Sequence, residues 1–167
     1  MRPTKDRVKE ALFNILQFEI RDKSFLDLFG GTGQIGVEAF SRSAKNVTIV
    51  DNSNESIRII KSNVAKIKAP HENINIIKAD ARNFLRQTAQ TFDIVFLDPP
   101  YAESSLLAEC MNLLERCVTK DAIIITETLF EQNPQNISTY FSLKKVYKYG
   151  KMCLKLYKSA ENLSING

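Results

Sequence analysis

A chain of 167 residues with 44% hydrophobic and 25% charged content has room for one globular domain with a sizeable core, expected over 1–158, and for a polar tail over 159–167. Its net charge of +4 is local: Lys144, Lys145, Lys148, Lys151, Lys155 and Lys158 form an acid-free run that exceeds the total, so the remainder is slightly acidic. Cys110, Cys117 and Cys153 are scattered and His71 is the single histidine, which argues against a disulfide framework or a zinc site. Leu12 to Ile20 is broken by Asn14, Gln17 and Glu19, so neither a signal segment nor a membrane span is expected, and the location implied is cytoplasmic.

In chain order, apolar residues at Val8, Leu12, Ile15 and Leu16 predict a helix over Thr4 to Phe18. Ser24 to Phe29 reads as a strand, followed by the turn Gly30-Gly31-Thr32-Gly33-Gln34-Ile35-Gly36 and a helix to about Ser41. Val47 to Val50 is a strand; Ile57, Ile60, Val64 and Ile67 form a helical stripe; Ile74 to Ile77 is a third strand and Asp80 to Ala89 a short helix. Phe92 to Leu97 is the fourth strand, Ser104 to Val118 the next helix and Ala122 to Thr128 a fifth strand, its near-continuous Ile and Thr implying two buried faces. After Pro134 a short helix is expected, then a hairpin of Leu143 to Tyr149 and Met152 to Tyr157. The alternation predicts a doubly wound α/β fold: a mostly parallel seven-stranded sheet with a C-terminal antiparallel hairpin, binding ligands beyond the carboxyl ends of its strands.

The fourth strand stops at Asp98-Pro99-Pro100-Tyr101, because adjacent prolines cannot continue a central strand. The turn gathers the Asp98 carboxylate, the Pro99 carbonyl and the Tyr101 ring. That set suits an exocyclic amine on a flat base, whose lone pair is delocalised into the ring. Two acceptors taking its N–H bonds draw the nitrogen toward a tetrahedral geometry and free the lone pair, while Tyr101 stacks on the base. The plain alternative is a strand-to-loop exit with Asp98 solvated and Tyr101 partly buried.

The glycine turn contains G-x-G-x-x-G, with Asp51 about twenty residues on at the end of the second strand. This spacing fits a nicotinamide dinucleotide and S-adenosylmethionine equally well. Asp27 just before the glycines favours the second, since it would accept from an ammonium and repel a pyrophosphate. Asp80-Ala81 ends the third strand where an adenine amine could meet a carboxylate. On this reading the cofactor set is Asp27, Phe29, Gly31, Gly33, Asp51, Asn52, Asp80 and Ala81, and the helix N-terminus after Gly33 receives the amino-acid carboxylate. The competing roles are a cap for Asp27 and ordinary loop residues for Asp51 and Asp80.

Together these residues resemble the class I, Rossmann-like S-adenosylmethionine-dependent methyltransferases that methylate amines. Arg2-Pro3-Thr4-Lys5-Asp6-Arg7-Val8-Lys9-Glu10 with Leu12-Phe13-Asn14, then Asp27-Leu28-Phe29-Gly30-Gly31-Thr32-Gly33, Gly36-Val37-Glu38-Ala39-Phe40-Ser41-Arg42 and Asp98-Pro99-Pro100-Tyr101, resemble in order the bacterial RsmD family, which methylates N2 of a guanine in 16S ribosomal RNA. The resemblance implies S-adenosylmethionine as cofactor, a catalytic cluster of Asp98, Pro99, Pro100 and Tyr101, and no metal. It also implies ribosomal RNA or the assembling small subunit as partner; the lysine-rich hairpin with Lys148 and Lys151, together with Arg2, Lys5 and Arg7, is the basic surface expected to hold its phosphates, and a monomer is the default expectation. Two departures stand out: the family carries a basic strand hairpin ahead of the Arg-Pro-Thr segment where Met1 directly precedes Arg2, and Ser43 stands where glycine is common. An adenine N6 methyltransferase of DNA would use the same tetrapeptide but calls for a DNA-recognition domain; a glutamine methyltransferase prefers Asn at position 98. An NAD-dependent oxidoreductase and a non-catalytic RNA-binding module are the remaining alternatives.

Overall fold

The computed structural model describes residues 3–67, 71–100, 103, 105–132 and 136–160, the side chains of 3–5 and 71 excepted. The elements are α1 (Pro3–Leu16), β1 (Ser24–Asp27), α2 (Gln34–Ser41), β2 (Asn46–Asp51), α3 (Asn54–Ala65), a 3-10 turn at His71–Asn73, β3 (Ile74–Lys78), α4 (Ala81–Gln87), β4 (Phe92–Leu97), α5 (Leu106–Leu114), β5 (Val118–Leu129), β6 (Phe141–Tyr149) and β7 (Met152–Ser159). Seven strands form one sheet in the order β3-β2-β1-β4-β5-β7-β6. The first five are parallel and the last two run antiparallel to their neighbours. The expected doubly wound sheet with its closing hairpin is therefore present.

Alternation along each central strand divides the core. Phe25, Val47, Ile49, Ile94 and Phe96 pack with α1, α2 and α3 on one face. Leu26, Val50, Val95 and Leu97 pack with α4 and α5 on the other. The apolar run of β4 thus serves two layers, and Ile94, Val95, Phe96 and Leu97 are each at most 3% exposed, a burial contributing roughly 1.5–3 kcal/mol per side chain. Val8, Leu12 and Leu16 bury the stripe of α1 against the same face as Phe25. The strand order reverses between β1 and β4, which sets the crevice at their carboxyl ends.

Several boundaries differ from the sequence expectation. α1 stops at Leu16, leaving Phe18 beyond it 88% exposed. β1 ends at Asp27, so Phe29 belongs to the glycine turn. α5 begins at Leu106 and ends at Leu114, because the buried Cys117 closes a turn onto Leu114 and Val118 already pairs with Phe92 at the start of β5. The helix expected after Pro134 is absent from Asn136 to Tyr140, a bend and irregular chain that ends in a turn at Thr139 and Tyr140; Pro134 lies outside the described residues. β7 continues to Ser159, one residue into the segment expected to be tail, and 161–167 lie outside the described residues. Cys110, Cys117 and Cys153 are free and buried, and burial pushes the Cys110 thiol up to about 12. Among the described residues no helix is long and apolar enough to cross a membrane.

Candidate active site

The glycine turn is held by its neighbours. Gly31 and Gly33 adopt φ values of 58° and 81°, the left-handed region that favours glycine. The Gly31 amide donates to Asp51 Oδ2 at 2.9 Å, and Asp51 Oδ1 accepts the Ser53 amide at 3.0 Å. Asp51 thus fixes the turn from the end of β2. A Cβ on Gly36 would lie 2.5 Å from Ile49 Cδ1, so the missing side chain lets α2 approach β2.

Asp27, at the end of β1, is 1% exposed, and among the described residues neither carboxylate oxygen has a hydrogen-bond partner. The Gly36 amide draws its pKa down without meeting full hydrogen-bond geometry. Burial dominates, repulsion from Asp98 and Asp51 adds to it, and the pKa rises from an ordinary 3.8 to about 7. Such a group is costly to leave without a donor.

Beyond the strand ends lies a cavity of about 430 Å³, lined among others by Phe29, Gly31, Asp51, Asn52, Asp80, Ala81 and Asp98. A smaller lobe of about 110 Å³ is lined by Val8, Lys9, Gln34 and Glu127 together with Phe29, Gly31 and Asp98. Phe29, Gly31 and Asp98 border both, and Asp98 therefore stands at their junction. Asp98 is half-buried, Pro99 buried and Pro100 exposed on the cavity wall; Tyr101 lies outside the described residues. Of the expected cofactor residues, six line the larger cavity, whereas Asp27 and Gly33 are buried and line neither lobe.

Asp80 has a second employment. Its carboxylate caps α4 through the Arg82 and Asn83 amides and pairs with the Arg82 guanidinium at 3.1 Å, which lowers its pKa. Arg82 also reaches Glu109 at 3.4 Å. The cap is thus present beside any ligand role.

Sequence reasoning missed Val8, Lys9, Gln34, Arg82, Glu103 and Glu127 as wall residues. Glu127 carried a signal: like Asp27, Asp51, Asp80 and Asp98, it is an acid at the carboxyl end of an apolar strand run.

The basic residues divide by position. Lys148 and Lys151 are exposed at the tip of the β6–β7 hairpin, where Phe130, just past β5, donates its amide to the Lys151 carbonyl at 2.7 Å. The antiparallel register thereby brings both to the carboxyl end of β5, the rim that carries Asp98. Lys148 Nζ lies 4.3 Å from the Phe130 ring centroid. Arg7 is exposed on α1; Arg2 and the Lys5 side chain lie outside the described residues.

A donor-less buried carboxylate, a left-handed glycine turn opening helix α2, and an acid-lined cavity of this size fit the ammonium, carboxylate and adenosine parts of S-adenosylmethionine. With the sheet order, this defines a class I S-adenosylmethionine-dependent methyltransferase. The chain belongs to the family described as Conserved hypothetical protein 95, whose model matches residues 1–158 and which includes ribosomal RNA small subunit methyltransferase D. It is 35% identical over 159 residues to ribosomal RNA small subunit methyltransferase D of Escherichia coli (strain K12), covering 94% of this chain and 79% of that protein. The solved structure of yhhF from Escherichia coli matches with a TM-score of 0.83 at 35% identity, covering 95% of this chain and 88% of that one. A methylase structure from Haemophilus influenzae matches with a TM-score of 0.80 at 35% identity, covering 95% and 100%. Family membership decides between the two cofactor readings that the glycine spacing left open.

Proposed function

We propose that this single domain, spanning 1–158, methylates the N2 amine of a guanine in 16S ribosomal RNA, either free or in the assembling small subunit, as a cytoplasmic monomer. The observation that carries the reading is the position of Asp98 on the wall shared by the two lobes, where one group can face both a cofactor and a base. The name of the 35% identical Escherichia coli relative supports the substrate class.

S-adenosylmethionine supplies an activated methyl group when bound, so the protein's task is positioning. Asp27, Phe29, Gly31, Gly33, Asp51, Asn52, Asp80 and Ala81 are the residues that would hold it. The Asp98 carboxylate and the Pro99 carbonyl accept the two N–H bonds of the guanine amine and free its lone pair. Tyr101 stacks on the base, which is flipped or presented unpaired. The proton lost from the amine passes to Asp98 or to water. Arg2, Lys5, Arg7, Lys148 and Lys151 hold phosphates, so RNA affinity falls as salt rises.

Mapping of N2-methylated guanines in 16S ribosomal RNA from cells with and without this gene tests the reading. A site that loses its methyl group on deletion and regains it on complementation is the expected result; an unchanged methylation map rejects the substrate.

A further inference from the structure

The second lobe holds an acid that the mechanism above does not use. Leu97 on β4 pairs with Thr126 on β5, so the next residues in register are Asp98 and Glu127. Ile125 and Phe96, two residues before each, pack on the α1 face of the sheet, and side chains two apart along a strand share a face. Asp98 and Glu127 therefore project to the same side from adjacent strands, about 4.8 Å apart at the backbone, and both line the smaller lobe. Glu127 is half-buried there.

A base whose exocyclic amine is held by Asp98 presents a neighbouring ring nitrogen to one side. In guanine the amine stands between two ring nitrogens, the bare N3 and N1, which carries a hydrogen, and a carboxylate on the N1 side meets that hydrogen. In adenine and cytosine the ring nitrogen beside the amine is a bare acceptor. A carboxylate next to Asp98 satisfies the first and repels the other two.

We propose that Glu127 selects guanine, accepting the N1–H of the base whose amine Asp98 and the Pro99 carbonyl hold. The inference rests on the guanine-N2 reading above and adds the group that distinguishes guanine from the other amine-bearing bases. Glu127 takes no part in proton removal from the amine; its effect is on which base is bound productively.

The test uses 16S ribosomal RNA carrying, at the mapped target position, either guanine or 2-aminopurine, which keeps the N2 amine but has a bare N1. Methyl transfer to each is measured with the full chain and with Glu127→Gln, whose amide can donate to that bare nitrogen. The unaltered protein is expected to prefer guanine by at least about tenfold in kcat/KM. Glu127→Gln should methylate 2-aminopurine faster than the unaltered protein does, while losing rate on guanine. Donor affinity, measured by calorimetry with S-adenosylmethionine, should stay within a few-fold of the unaltered protein, which also verifies folding. Should Glu127→Gln fold poorly, Glu127→Ala reads the same quantity, because removing the carboxylate also removes the repulsion and narrows the preference. A guanine to 2-aminopurine ratio unchanged by substitution overturns the assignment. Unaltered protein that methylates no guanine overturns instead the reading on which it rests.

Discussion

Asp27 and Asp93 sit on adjacent parallel strands, at opposite ends of the same sheet, and are held in opposite ways. At the amino end, Asp93 Oδ2 accepts the Ser24 amide at 2.9 Å and Oδ1 accepts the Thr119 hydroxyl at 2.9 Å, tying β4 to β1 and β5. At the carboxyl end, Asp27 is buried with neither oxygen partnered among the described residues, beside two further acids that repel it. One rim is satisfied by its own chain. The other keeps an electrostatic debt that a cation can settle, which is where a fold departs from internal consistency in order to bind.

The contrast is broken most directly at the junction of the lobes. Asp98→Ala should lower turnover by about a thousandfold or more, while S-adenosylmethionine binding, followed by calorimetry, changes little. Retained turnover would show that the carboxyl rim does not act through this residue. Next in size is packing: in Gly36→Ala the new methyl would lie 2.5 Å from Ile49 Cδ1, an overpacking that costs about 1–3 kcal/mol and lowers Tm accordingly.

The two aspartates themselves give a paired test. Asp93→Ala strands the Ser24 amide and the Thr119 hydroxyl, should cost about 1–2 kcal/mol, and should leave turnover intact. Asp27→Asn should go the other way in the ligand-free protein. The native state keeps a proton on Asp27 up to about pH 7, whereas the unfolded chain releases it near 3.8. The group's contribution to stability is therefore complete below 3.8 and is lost as pH rises through 7. Removing the ionisable group should raise Tm more at pH 8 than at pH 5 and weaken S-adenosylmethionine binding. Equal losses of stability from both substitutions at pH 8 would erase the distinction between the rims.

The strand sequence was legible because Phe92 to Leu97 and Ala122 to Thr126 are apolar runs that only a sheet buried on both faces accommodates. Four acids of the rim, Asp27, Asp51, Asp80 and Asp98, were legible because each follows such a run at its carboxyl end, whereas Glu127, inside β5, was passed over. What those acids touch was not legible. Asp51 clamps the Gly31 amide and Asp80 caps α4, long-range or local hydrogen bonds that spacing leaves undetermined. The start of β5 was misread as helix because Cys117 and Val118 continue an apolar stripe, and pairing with Phe92 decides the matter only in three dimensions. Lys9 and Gln34 reach the smaller lobe through the docking of α1 and the pitch of α2, which no local pattern encodes.

The smallest effect lies at the amino end of the sheet, where the Ser43 carbonyl accepts the Asp22 amide at 2.9 Å just ahead of β1. Ser43 has φ 75°, left-handed for a residue with a Cβ. It follows the α2 cap Arg42, its amide donates to the Phe40 carbonyl at 3.0 Å, and the Ala44 amide donates back to the Ala39 carbonyl at 3.1 Å. That pair of bonds is a Schellman ending, whose left-handed position glycine fills without strain. Ala39 and Ala44 are both buried in the same cluster, so the ending is locked by packing and Ser43 cannot relax out of it. Ser43→Gly relieves about 1 kcal/mol of strain, partly offset by the greater freedom of glycine in the unfolded chain. A net gain of about 0.5 kcal/mol should move the urea midpoint upward without changing the slope of the transition. Ser43→Ala, which keeps the Cβ, should gain nothing, and a gain in that variant would assign the effect to the hydroxyl instead of the backbone.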